Sequence, residues 1–206
     1  AGSTKPFTMA GGGTGAFQVD TAGTVLTLSG MIDGGGRLSK TGAGTLTLSG
    51  GNTYTGGTVI SAGTVVISAD NNLGAADSNL SITGTSRINL VGPVTYTHPV
   101  DISSGAVLSL QNTNSAANIA TFSGAVTGAG GINLIPCGAG NNNDVTIALT
   151  NANNTFTGPV ATNQGTSSDN FFFASIGDGS TISFGRNSYR AHVGYTGSTN
   201  LTLNTR

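Results

Sequence analysis

The side chains that could do acid, base, metal or nucleophile chemistry in this 206-residue chain are few. There are eight Asp and no Glu, two His, one Cys and seven Lys or Arg. Paired carboxylates can run acid/base chemistry when their surroundings push their pKa values apart at a fixed separation. Asp70 and Asp77 flank one loop, and Asp169 and Asp178 flank the segment Phe171-Phe172-Phe173. Each of these Asp stands beside Asn, Gly, Ser or Ala. An Asp in such a setting reads as a turn residue whose carboxylate mimics a backbone turn. His98 and His192 stand alone, without the further ligands a zinc site needs. Cys137 has no His nearby in sequence to act as its base. It reads as a small buried or half-buried thiol, and a single Cys leaves no internal disulfide. The glycine runs Gly11–Gly15 and Asp33-Gly34-Gly35-Gly36 lack the Lys-Ser/Thr and the following helix of a phosphate loop. The sequence therefore predicts no catalytic residue, no metal site and no cofactor site, and a protein that is not an enzyme.

What must be positioned is instead a strand framework. Glycine supplies 34 residues and charged residues only 7%, with a net charge of -1. Near-zero charge gives no electrostatic footprint for nucleic acid or for an anionic membrane surface. No apolar run approaches the length of a spanning helix, so membrane insertion of this segment is not expected. Disorder is disfavoured because Val, Leu and Ile recur at regular intervals and net charge is low. No stretch keeps a 3.6-residue apolar period over three turns.

Short alternating strands follow glycine corners throughout: AGTVLTLSG (22–30), AGTLTLSG (43–50), AGTVVISA (62–69), TGTSRINLVG (83–92) and SGAVLSLQN (104–112). Four more follow at 128–136, 143–151, 177–185 and 196–205. The first five corners are Gly23, Gly44, Gly63, Gly84 and Gly105, about twenty residues apart. A near-constant period of this size is the mark of a repeat architecture. The expected fold is all-β: a parallel β-solenoid of about nine coils, stacked at about 4.8 Å into a rod of about 40–45 Å. Weaker strands at 58–60, 94–96 and 99–102 supply the other faces of each coil. Alternation sends Leu26, Leu28, Leu46 and Leu48 inward. Val66, Ile88, Leu90, Leu108, Leu110, Ile132, Leu134, Ile147 and Leu149 are expected to stack above them in one aliphatic column.

A longer repeat overlies the coils. Residues 29–59 align with 123–160, matching Gly-Ala-Gly at 42–44 with 138–140, Thr-Leu-Thr-Leu with Thr-Ile-Ala-Leu, and NTYTGG with NTFTGP. The aromatic turn recurs as VTYTHPV (94–100) and TFSGAV (121–126). In this turn His98 reads as a substituent for a corner glycine. Tyr54, Tyr96, Phe122 and Phe156 read as a stacked ladder inside one corner; the alternative is an aromatic row for carbohydrate contact. Phe171, Phe172 and Phe173 are different: a strand of three Phe must turn at least one outward. They are the expected partner contact, against the alternative of a loop folded over the solenoid.

The run LSKTGAGTLTLSGGNTYTGGTVISAGTVVIS closely resembles the passenger-associated transport repeat (the autotransporter-associated β-strand repeat) of bacterial type V secreted proteins. The resemblance is strong over 17–70, moderate over 119–160, where the second copy is degenerate, and generic elsewhere. It implies a right-handed parallel β-helix, exported to the bacterial cell surface by a translocator barrel that these residues do not contain. The whole of 1–206 reads as one solenoid. Its expected function is structural or adhesive, with a host glycan, a surface protein or another copy of the chain as partner. A self-assembling extracellular fibre or sheath subunit is the alternative. A carbohydrate-active β-helix enzyme, a third reading, lacks the acid/base cluster. An ice-binding solenoid would need its Thr-x-Thr pairs in one flat register, and their spacing is unequal.

Overall fold

The computed structural model describes residues 1–112, 119–135, 145–162, 169–173, 182–183 and 191–195. Among them the chain is almost entirely short strands, all pairing in parallel, with one 3-10 turn at Asp70–Leu73. One sheet takes nine strands in chain order: 2–3, 25–28, 45–48, 63–67, 86–90, 107–112, 131–135, 160–162 and 182–183. A second face takes six, at 14–18, 37–41, 58–60, 80–82, 100–102 and 126–128. A third takes 94–96, 119–122, 145–149, 169–173 and 191–195, and strands 7–9 and 32–34 pair separately. Each coil thus visits the faces in turn and lies on the coil before it, which is the β-solenoid expected. About six turns are made, so the count differs slightly from the nine expected. The chain per level lengthens along the stack: Leu26 pairs with Leu46, but Ile132 pairs with Val160.

The register shows why this alternation folds this way. On the nine-stranded sheet one inward column runs Leu26, Leu46, Val65, Ile88, Leu110 and Leu134. Of these, Leu46 through Leu134 are buried, and Leu26 packs against them. Thr45 and Thr47 alternate outward, half-buried, as the pattern predicts. Two placements differ from expectation. Val65 and Ile67 are buried and Val66 is not. The run Thr64-Val65-Val66-Ile67 is β-branched throughout, so its alternation is ambiguous, and the pairing of Val65 with Leu46 decides it. Ile147 and Leu149 are buried on the third face instead, paired with Ala120 and Phe122. Their place above Leu134 is taken by strand 160–162.

Several corners are built from backbone contacts that exclude a side chain. Gly42 has φ of +76°, and a Cβ there would stand 2.4 Å from the Val19 carbonyl oxygen. Gly44 N–H donates to Val19 O at 2.7 Å, and Thr45 N–H to Thr24 O at 2.8 Å. The same corner recurs at Gly128-Ala129-Gly130, where Gly130 N–H donates to Ile102 O and Gly131 N–H to Ala106 O, both at 2.9 Å. The Gly-Ala-Gly expected to match 42–44 was 138–140, which lies outside the described residues. The corner that shares the geometry is the one about ten residues earlier.

Buried Asn side chains tie levels together from inside. Asn52 Oδ1 accepts from Ile32 N–H at 2.9 Å and its Nδ2 donates to Asn72 O at 2.6 Å. Asn154 Oδ1 accepts from Val126 N–H at 2.9 Å. The turns NTYTGG and NTFTGP also share their next backbone bonds. The N–H groups of Thr53 and Thr155 donate to Ile32 O and Val126 O, and those of Thr55 and Thr157 to Gly34 O and Gly128 O. The same local motif therefore sits on different faces. After the first turn the chain enters the six-stranded sheet at Thr58, and after the second it enters the nine-stranded sheet at Val160.

Candidate functional site

Among the described residues, the densest gathering of titratable side chains is the corner around His98. The turn Thr97-His98-Pro99 leads into strand 100–102, as Thr55-Gly56-Gly57 leads into 58–60. Pro99 O accepts from Leu80 N–H, as Gly57 O accepts from Leu38 N–H and Ala125 O from Val100 N–H. His98 thus stands where Gly56 and Gly124 stand at other levels. Its ring passes inward to 1% exposure. Nδ1 lies 2.9 Å from Ser78 O and Nε2 3.0 Å from Asp70 O, with an Asp70 carboxylate oxygen 3.5 Å from Nε2. The Ser78 hydroxyl is 3.4 Å from Nδ1.

Asp70, His98 and Ser78 are thus a Ser-His-Asp set in composition, and sequence reasoning missed it because its members come from two coils. It cannot work as a hydrolase triad. A triad base must take the serine proton through a free ring nitrogen. Here the closest partner of each ring nitrogen is a backbone carbonyl, and Ser78 is buried. Asp70 is also engaged, accepting from Thr97 N–H at 2.9 Å and Thr97 Oγ1–H at 2.7 Å. The set is a bolt joining the 3-10 corner to the coil above it. Asp77, the other half of one candidate acid pair, is exposed. Asp169 lies on strand 169–173, whose side chains are not among those described, and Asp178, His192's side chain and Cys137 lie outside them too.

A buried lysine escaped the sequence reading altogether. Lys40 occupies an inward column of the six-stranded sheet, between Phe17 and Ile60 in register, and has no exposed surface. Its Nζ donates to Thr41 O at 2.8 Å, Gly42 O at 2.7 Å and Ala62 O at 3.2 Å. Burial pulls its pKa below the ordinary lysine value, and the Asp20 carboxylate partly offsets this. An inward lysine was legible from the alternation of Leu38 and Lys40 about Ser39.

The aromatic series is internal. Tyr54, Tyr96, Phe122 and Phe156 are all at most 3% exposed, so none offers a face to a sugar. Tyr96 and Phe122 are register partners with ring centroids 5.2 Å apart. Phe156 departs from the expected ladder, lying over strand 126–128 on the second face. Burial pushes both tyrosine pKa values well up. The Thr58 hydroxyl at 2.6 Å partly offsets this for Tyr54, and Asp70 adds to it for Tyr96. Phe171, Phe172 and Phe173 lie on a strand, paired with Ile147, Ala148 and Leu149. Their side chains are not among those described. Among the described residues no three His, Cys, Asp or Glu converge as a metal site.

Residues 38–67 match the family model of the passenger-associated transport repeat. The chain carries that repeat. The match takes in Lys40 with its three carbonyl partners, the corner at Gly42, Asn52, the Tyr54 turn and strands 45–48, 58–60 and 63–67. No curated protein and no solved structure matches the chain. Among the described residues no helix is long and apolar enough to cross a membrane.

Proposed function

We propose that the chain is a non-enzymatic structural or adhesive segment of a bacterial autotransporter passenger, carried to the cell surface or released from it. The observation that carries this reading is the repeat match at 38–67 within a parallel β-solenoid. The internal chemistry supports it. Among the described residues, the polar side chains that cluster, Lys40, Asp70, Ser78 and His98, are spent on bonds within and between coils. The outward positions of the nine-stranded sheet are instead mostly uncharged and hydroxyl- or amide-bearing. Thr27, Thr47, Val66, Asn89 and Gln111 share one register column. Such a surface stays hydrated without a strong field, which suits contact with neutral glycans or protein surfaces. Strand 169–173, with its three Phe, is the proposed contact for such a partner.

The test is surface display. The chain is joined upstream of a translocator barrel in a bacterium with two membranes, and intact cells are probed with antibody and protease. Exposure on intact cells is the expected result. Retention inside cells whose translocator is correctly inserted would count against the reading, as would release of reducing ends from polysaccharides by the purified chain.

A further inference from the structure

The corner formed by Thr41, Gly42 and Ala62 holds an ammonium in a cage of carbonyl oxygens, with the cation supplied by Lys40. We propose that this corner is a binding site for a primary ammonium, filled in cis by Lys40, and that a short primary alkylammonium is the free ligand it takes when that side chain is removed. Lys40 is then the residue that positions the corner carbonyls of two successive coils.

Several observations converge. The three acceptors account for all three N–H donors of an ammonium group. They come from two levels, Thr41 and Gly42 on one coil and Ala62 on the next. Their distances of 2.7 to 3.2 Å suit N–H donors and are longer than the roughly 2.3–2.6 Å of calcium sites. The site is also closed: a Cβ on Gly63 would come within 2.8 Å of Nζ. Above Lys40 its column continues with Ile60, Ile82 and Ile102, so a charge there is costly unless fully paired. Finally, the corner at Gly128-Ala129-Gly130 repeats the backbone bonds with Val126, and no lysine, two residues before its first glycine, and it lies outside residues 38–67. The ammonium is what the matched repeat adds to an ordinary solenoid corner.

The proposal does not depend on surface display, because its readout is the stability of the isolated full chain. Lys40→Ala removes three methylenes and the ammonium, a fragment with the shape of n-propylammonium. Lys40→Met keeps most of the volume and removes the donors. Both variants are expected to melt about 5–10 °C below the parent. Millimolar propylammonium is expected to restore several degrees to Lys40→Ala. Tetramethylammonium, propanol and sodium chloride should not, and propylammonium should leave the parent and the cavity control Leu108→Ala unchanged. A Lys40→Met protein as stable as the parent would overturn the proposal, since hydrocarbon would then suffice. Equal response of Lys40→Ala to propanol would do the same. Should Lys40→Ala not fold, the parent decides: ¹⁵N-¹H spectra at neutral pH are expected to show one lysine NH₃⁺ protected from solvent exchange and lost in Lys40→Met. Free exchange of every lysine ammonium would refute the cage.

Discussion

Replacing Asn52 by Ala tests whether the solenoid is held by its buried amides as well as by its aliphatic columns. Asn52 is almost fully buried, and its side chain makes one bond as acceptor and one as donor, to Ile32 N–H at 2.9 Å and Asn72 O at 2.6 Å. Alanine leaves that N–H and that carbonyl without partners at a site closed to water. An unpaired buried polar group costs about 1–3 kcal/mol. Relaxation around Asn72 recovers part of the sum, so the expected loss is about 2–4 kcal/mol. For a chain of this length that is a fall in Tm of about 5–12 °C. Chemical denaturation with a single set of probes checks it, read as a shift in midpoint at constant slope. Asn72 is coupled to the same network, accepting from Ser68 and Ala69 N–H and donating to Gly50 O. The double replacement with Asn72→Ala should therefore cost less than the sum of the single ones. A change of less than about 0.5 kcal/mol for Asn52→Ala, the size of an ordinary surface substitution, would refute the reasoning.

Three further outcomes follow from the geometry. Gly42 and Gly105 have nearly the same φ, +76° and +77°, but a Cβ meets Val19 O at 2.4 Å in the first and nothing within 4 Å in the second. Gly105→Ala should cost about 1 kcal/mol of backbone strain, and Gly42→Ala well over twice that, by thermal melting; equal losses would show that the corner contact is not what selects glycine. Tyr54 and Tyr96 have raised pKa values in the fold, so above the ordinary value of 10.0 the unfolded chain loses protons that the folded chain keeps. Their contribution to stability is present below that pH and falls as pH rises beyond it. Absorbance at 295 nm should show two tyrosines failing to ionise until the chain unfolds, and Tyr54→Phe with Tyr96→Phe should flatten the alkaline loss; normal titration of all four would sink this. Val65→Ala should cost about 2 kcal/mol and Val66→Thr less than about 0.5 kcal/mol in the same melting assay, and the reverse order would mean that the register is shifted by one residue.

The strand framework was legible because two signals agreed. Glycine corners about twenty residues apart and Thr/Leu alternation between them both point to stacked parallel coils, and strands 45–48, 58–60, 86–90, 94–96 and 100–102 appear where that pattern places them. What was not legible was which face a strand joins. Ile147 and Leu149 alternate just as Ile132 and Leu134 do, yet they pair with Ala120 and Phe122 on another sheet. Local alternation fixes inside against outside, but the face depends on how much chain intervenes. The same limit explains the second copy of the repeat: its Asn154 and Thr155 bonds reproduce those of Asn52 and Thr53, one face around. Val65 against Val66 was undecidable within an unbroken β-branched run and was settled by the neighbouring coil.

The chemistry escaped for a related reason. In a solenoid, residues about one coil apart in sequence become neighbours, so a cluster is assembled by stacking and leaves no local motif. Asp70, Ser78 and His98 meet only because Thr97-His98 lies above the 3-10 turn at Asp70–Leu73. Lys40 reaches Ala62 only because one coil follows another. Both clusters face inward, and both use polar groups to hold backbone carbonyls at the corners. This inverts the usual inference from a buried titratable group to a catalytic site. A solenoid built from tight corners has a structural use for buried His, Lys and Asn. The recognition proposed for this chain falls to its outward columns and to strand 169–173, where register sets Phe172 beside Ala148 and Gly194. Substituting Phe172→Asp should abolish partner binding to the displayed chain while leaving Phe122→Leu, an interior change, able to bind.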